Sequence, residues 1–191
     1  MSLPQVIVLN GTSSSGKSAL AHALQERLSE QYLNFSIDSI LYALPPSDLL
    51  KMQRGEIITR NGYDWAALVR AYHYALPSLL QAGLKLIIDN AWCDKEEKRE
   101  LLTELAGYSQ ALVAVHCGLD TLQTRERQRG DRAQGSAQWE YHRVHEHMIY
   151  DFEISTDSVA PDAAAAAVHQ WLEGQPQLHG ALATLEAFNI G

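Results

Sequence analysis

Gly11-Thr12-Ser13-Ser14-Ser15-Gly16-Lys17-Ser18 satisfies the pattern G-x-x-x-x-G-K-[ST] of a phosphate-binding loop. Its flanks give the pattern a mechanism. Val6-Ile7-Val8-Leu9 ahead of it is a short, β-branched apolar run that reads as a buried strand. Behind it, Leu20, Leu24 and Leu28 share one face of a helix. In a strand–loop–helix unit the loop N–H groups and the helix N-terminus face the phosphates. Lys17 is then placed to neutralise terminal phosphate oxygens, and the Ser18 hydroxyl to ligate Mg²⁺.

Working outward, apolar strand patterns recur at 34–39, 84–89, 111–117 and 151–156. Helical patterns lie between them, at 17–31, 64–81, 94–106, from about 120 into an arginine-rich stretch, 136–149 and 162–173. Pro77 falls inside the second of these helices, and residues 47–62 read as a long loop or a broken helix. Strands alternating with helices predict an α/β fold with a parallel sheet covered on both faces. The expected organisation is one domain over residues 1–173, with a lid at about 125–140 and a tail at 174–191.

The chain has 191 residues, 15 basic and 23 acidic, for a net charge of −8, which disfavours non-specific nucleic-acid binding. No apolar run approaches a bilayer span, and the first strand begins too early for a signal peptide. Two cysteines, Cys93 and Cys117, make no disulfide framework, so reduced thiols in the cytoplasm are expected.

Ligands of an open parallel sheet bind at the carboxyl ends of its strands. Asp38, Asp89-Asn90 and His116-Cys117 stand at such ends in this reading. Asp38 has the chemistry to orient an acceptor hydroxyl, or to cap a helix starting at Ser39. Asp89 either holds Mg²⁺ beside Ser18 or accepts bonds from local backbone. Arg125, Arg129 and Arg132 fall in one helical sector, with Arg127 pointing elsewhere. Such a cluster suits triphosphate oxygens, and Gly130 would allow it to close as a lid; the alternative is a solvated face paired with Glu126 and Asp131. His142, His145 and His147 do not share a helical face, so they read as surface or core residues. Trp65, Tyr72, Trp92, Trp139 and Tyr141 are core or pocket aromatics.

With these residues in place, the chain resembles the chloramphenicol phosphotransferase-like family of P-loop kinases. The matching stretches are Leu9 through Ser18, Phe35-Ser36-Ile37-Asp38-Ser39, Lys51-Met52-Gln53, Leu86 through Asp89, and Val115-His116-Cys117. They continue with Arg125-Glu126, Arg129 through Arg132, Tyr141, Val144-His145 and Tyr150-Asp151. The resemblance implies a three-layer P-loop kinase fold with a five-stranded parallel sheet and an arginine-rich lid. It implies transfer of the ATP γ-phosphate to a hydroxyl of a small molecule, with Mg²⁺. By the same resemblance Asp38 is the base and Lys17 the phosphate lysine. Arg132 acts at the reacting phosphate, while Gly11, Thr12, Ser13, Ser14, Ser15, Gly16, Ser18, Arg125 and Arg129 bind nucleotide. The metal would fall to Ser18 and Asp89. Where the family often has a second acid after Asp89, this chain has Asn90.

The expected partner is a small hydroxylated acceptor, with no nucleic acid and no membrane; a homo-oligomer is compatible with this. Two other functions fit the residues. A nucleoside or nucleotide kinase would use Lys51, Arg54, Arg60 or Arg70 to hold an acceptor phosphate. A nucleotide-binding regulator would bind without catalysis. A GTPase is not expected, because no N-K-x-D stretch is present.

Overall fold

A computed structural model describes residues 3–129 and 135–190. Five parallel strands form one sheet in the order β2-β3-β1-β4-β5. They are β1 (Val6–Asn10), β2 (Tyr32–Asn34), β3 (Lys85–Asn90), β4 (Gln110–His116) and β5 (Phe152–Ser155). β1 lies at the centre, with Val6 in register with Leu86 on one side and Gln110 on the other. Every residue of β1 is buried. An apolar run without alternation is what a strand covered on both faces requires.

The pleat divides β1 between two cores. Ile7 and Leu9 face α1 (Lys17–Arg27) and α8 (Pro161–Glu173), meeting Leu20, Leu24, Ala164 and Val168. Val6 and Val8 face α4 (Trp65–Gln81) and α5 (Lys95–Glu104), meeting Leu76, Leu80, Leu101 and Leu102. Asp64 caps α4 by accepting a bond from Ala67 N, and Asp94 caps α5 by accepting from Glu96 N and Glu97 N. α4 continues through Pro77.

The remaining helices are α2 (Ile37–Leu41), α3 (Pro46–Gln53), α6 (Leu119–Arg129), α7 (Ser136–Glu140) and α9 (Gly180–Ile190). No helix among the described residues is long and apolar enough to cross a membrane.

Three segments differ from the sequence reading. The second strand ends at Asn34 rather than Asp38, and Asp38 lies in the first turn of α2. The alternation in Phe35-Ser36-Ile37-Asp38 mimics a strand, but Phe35 and Ile37 use it to pack on the α4 side of the sheet. The helix expected over 136–149 is α7 alone, followed by turns to His147, whose φ of 61° ends them. Buried Lys98 holds these turns by donating to the Arg143 and Glu146 carbonyls at 2.8 Å. The segment 174–191, set apart as a tail, carries α9 across α5 and β4. Asp151 anchors it: one carboxylate oxygen accepts from His179 N and Gly180 N, the other from Leu112 N.

Candidate active site

The phosphate loop is built from backbone that few side chains permit. A Cβ on Gly11 would sit 2.3 Å from the Val115 carbonyl, because the loop leaves β1 pressed against β4. Gly16 has φ 88°, and it precedes an α1 N-terminus that no side chain caps. Those N–H groups and the helix dipole therefore face the cleft, as an anion site requires. Lys17 Nζ donates to the Thr12 carbonyl at 2.7 Å.

Around the loop lies a cleft of about 610 Å³. Lys17 and Ser18 from α1, Asp38 from α2, Asp89 from β3 and Arg125 and Arg129 from α6 all line it. Arg132 lies outside the described residues, as do Gly130 and Asp131. Lys51, Arg54, Arg60 and Arg70 are not among the residues that line the cleft. Arg60 pairs with buried Asp48, and Arg54 with Glu56.

Ser18 and Asp89 form a donor set suited to a hard divalent cation. Ser18 Oγ donates to Asp89 Oδ2 at 2.6 Å, while Asp89 Oδ1 is buried with no hydrogen-bond partner. An orphaned carboxylate oxygen beside a hydroxyl fits Mg²⁺, which takes one or two protein oxygens and keeps several waters. Burial holds the Asp89 carboxyl above the usual carboxylate range; the Ser18 bond and Lys17 oppose this, and Asp38 adds to it. A raised carboxyl favours the fold in acid and loses that advantage as pH rises through its folded value. Asp89→Asn is therefore expected to raise the melting temperature of the ligand-free protein at neutral pH. The gap should narrow in mild acid, and thermal scans at both pH values check it. A destabilised variant at neutral pH would show that the ionised carboxylate carries no burden there.

Four functional features are invisible in sequence spacing. The first is Asn90: its Oδ1 accepts from Ile37 N at 3.2 Å and so fixes the start of α2 one residue before Asp38. Asn90→Ala should lower the acceptor turnover about tenfold and leave nucleotide affinity in place, whereas Asn90→Asp, which keeps an acceptor oxygen, should retain most activity. Equal rates in wild type and Asn90→Ala would remove Asn90 from the positioning of Asp38. The second is Glu126, whose buried carboxylate accepts from Gly135 N and Ala137 N and fixes where α7 begins.

The third is an apolar slot of about 250 Å³ behind the loop, lined by Ala19, Leu20, Arg125, Thr156, Val159 and Pro161. Arg125 donates to the Thr156 carbonyl at 2.7 Å and to the Ser15 carbonyl at 3.4 Å, and Thr156 Oγ1 donates to the same Ser15 carbonyl at 2.6 Å. Arg125 thus ties the loop to the turn after β5 and presents its guanidinium to slot and cleft together. The fourth is Glu140, which accepts from Ser13 N and, at 2.9 Å, from Ser13 Oγ.

The histidines fall outside this arrangement. His145 Nδ1 meets Tyr150 Oη at 2.8 Å, its ring lies 4.3 Å from that of His116, and burial pushes it down to about 4. His147 is exposed beside Glu146, and among the described residues no group of His, Cys, Asp and Glu forms a metal cluster. Of the aromatics, Tyr72 and Trp92 are core, Tyr141 packs by Cys117, and Trp139 stacks under Arg143. Trp65, 48% exposed, lines the cleft.

A model of the chloramphenicol phosphotransferase-like family matches residues 4–173. The chain belongs to this family. Among its relatives, a Mycobacterium tuberculosis protein that bears the provisional name O-phosphotransferase is 28% identical over 188 residues, covering 90% of this chain and 84% of the relative. Solved structures share the P-loop kinase fold at lower identity. A sugar kinase from a Janibacter species superposes with a TM-score of 0.65 at 18% identity, covering 88% of this chain and 94% of its own. The APS kinase of M. tuberculosis gives 0.64 at 16%, covering 91% and 99%. A tunicamycin resistance protein of Deinococcus radiodurans gives 0.62 at 20%, covering 87% and 94%. The chain thus shares the fold of these kinases, with the five-stranded parallel sheet that the resemblance implies.

Proposed function

We propose that this protein is an ATP-dependent O-phosphotransferase that moves the γ-phosphate to a hydroxyl of a small molecule. The observation that carries this reading is that Lys17, Asp38 and the Ser18–Asp89 pair line one cleft beside the phosphate loop. The apolar slot by Arg125 and Pro161 would take the base, with the triphosphate running from it along the loop N–H groups. Ser18 and Asp89 would hold Mg²⁺, which neutralises phosphate charge when bound.

Asp38 orients the acceptor O–H. As the oxygen forms its bond to the γ-phosphorus, the bond from phosphorus to the β,γ-bridging oxygen breaks and ADP departs. The hydroxyl proton passes to the Asp38 carboxylate and then to solvent. Because the transition state is loose, the proton leaves late, so a carboxylate suffices as base. Lys17 stabilises the charge that gathers on the transferred group and the leaving oxygen.

Support for an acceptor without a phosphate, over a nucleotide, comes from the cations of the 51–70 region, none of which lines the cleft, with Arg60 held by Asp48. The reduced thiols of Cys93 and Cys117 support a cytoplasmic setting, where ATP is available. The test is Mg-ATP consumption across a library of hydroxylated small molecules, chloramphenicol and nucleotides included. A phosphorylated alcohol formed with ADP is the expected result. Confirmed ATP binding with no transfer to any acceptor would favour a non-catalytic regulator.

A further inference from the structure

The walls of the cleft are sorted by charge. Among the described residues its cations are Lys17, Arg125 and Arg129, one on the phosphate loop and two on α6. The walls from α2, α4 and α7 contribute Asp38, Glu140, Ile37, Leu41 and Trp65, and no lysine or arginine. Glu140 lines the cleft but not the slot, and it grips Ser13, a loop residue that the slot does not include. It therefore stands away from the slot, in the same cleft as Asp38.

Glu140 is built for recognition. Its two oxygens each accept one bond from Ser13, through the backbone N–H and the hydroxyl, which fixes the carboxylate before any ligand arrives. Each oxygen keeps a further lone pair. Among the described residues no lysine or arginine forms an ion pair with it. Mg-ATP would use Lys17, the α6 arginines, Ser18, Asp89 and the loop N–H groups other than that of Ser13, which Glu140 holds, leaving Asp38 and Glu140 for the acceptor. Two carboxylates repel an anionic acceptor and attract an ammonium group, which would complete a charge-assisted bond. Trp65, Ile37 and Leu41 offer the apolar part of an acceptor a wall.

We propose that Glu140, acting with Asp38, selects alcohols that carry a protonated amine and an apolar body, and rejects acceptors that carry a carboxylate or phosphate. This rests on the O-phosphotransferase reading above. The test uses three acceptors on one skeleton: phenylglycinol (amine), styrene glycol (neutral) and tropate (carboxylate). Wild type and Glu140→Gln are assayed for transfer from Mg-ATP, and phenylglycinol is titrated calorimetrically in the presence of Mg²⁺ and a non-hydrolysable ATP analogue. Expected for wild type is a kcat/KM about tenfold higher for phenylglycinol than for styrene glycol, and tropate turnover at least about a hundredfold below the amine. In Glu140→Gln the amine-to-neutral ratio should fall about tenfold. Wild-type use of tropate on a par with the amine, or an amine preference that survives in Glu140→Gln, overturns the proposal. The wild-type ranking needs no variant, so misfolding cannot hide the answer. Phenylglycinol binding that weakens about tenfold in Glu140→Gln, with no transfer to any acceptor, supports the proposal and contradicts the phosphotransferase reading. Transfer to styrene glycol with no binding or use of the amine does the reverse. Absence of both binding and transfer for all three overturns the proposal as well.

Discussion

Asp38→Asn is expected to lower kcat by roughly 10²–10⁴ while the KM for ATP stays within about threefold. The size of the effect follows from the role proposed for Asp38, which is to orient the acceptor hydroxyl and take its proton. The alternative role is structural, since Asp38 lies in the first turn of α2 and favours the helix dipole there. That interaction is worth only about 0.3–1 kcal/mol, and the position next to Ile37 is also held by Asn90. Stability and rate therefore separate the two roles. A variant that melts within a few degrees of wild type yet transfers phosphate hundreds of times more slowly is the expected outcome. A variant that loses stability and rate in proportion would make Asp38 a helix residue and nothing more. Steady-state kinetics with varied ATP and varied acceptor, alongside thermal scans, give both numbers.

Gly11→Ala should affect fold and site together. The new methyl would lie 2.3 Å from the Val115 carbonyl and 3.1 Å from Ser15 Oγ. Ser15 can turn, but the carbonyl belongs to β4, which is in register with β1 at the centre of the sheet. Relief thus requires the loop to move off the strand. Overpacking of this kind costs typically 1–3 kcal/mol, and a backbone obstacle puts this site near ~3. For a chain of this size the melting temperature should drop by about 6–12 °C. The displaced loop would also pull Thr12, whose carbonyl holds Lys17, out of line. ATP should then give the variant less than a tenth of its wild-type affinity. Nucleotide binding at full strength in Gly11→Ala would mean that the loop tolerates the shift, and the close approach to β4 would not govern the site.

The fold was legible where local patterns and physical causes coincide. Val6 to Leu9 has no polar alternation because both faces are covered, and the glycine loop follows because the chain must turn within a few residues. Phe35 and Ile37 alternate with polar residues as a strand through Asp38 would, whereas their contacts lie on the α4 side of the sheet and Asp38 falls in α2. The 136–149 stretch has the composition of a helix but is shaped by Lys98, far away in sequence, which binds two of its carbonyls. α9 was hidden because its anchor, Asp151, lies 28 residues before His179.

The phosphate loop announces itself in eight consecutive residues, since a backbone cradle must be contiguous. The rest is assembled across the chain. Asn90 meets Ile37 over 53 residues, Thr156 meets Ser15 over 141, and Glu140 meets Ser13 over 127. No spacing rule links such pairs, so only the folded chain brings them into view.

The central claim is that the γ-phosphate of ATP ends on an acceptor oxygen held by Asp38. Phosphorus NMR of a reaction containing the protein, Mg²⁺, ATP and an alcohol acceptor tests it directly. The expected result is a phosphomonoester resonance that grows in step with ADP and disappears in Asp38→Asn. ADP growing in step with inorganic phosphate alone, whichever acceptor is present, would contradict it.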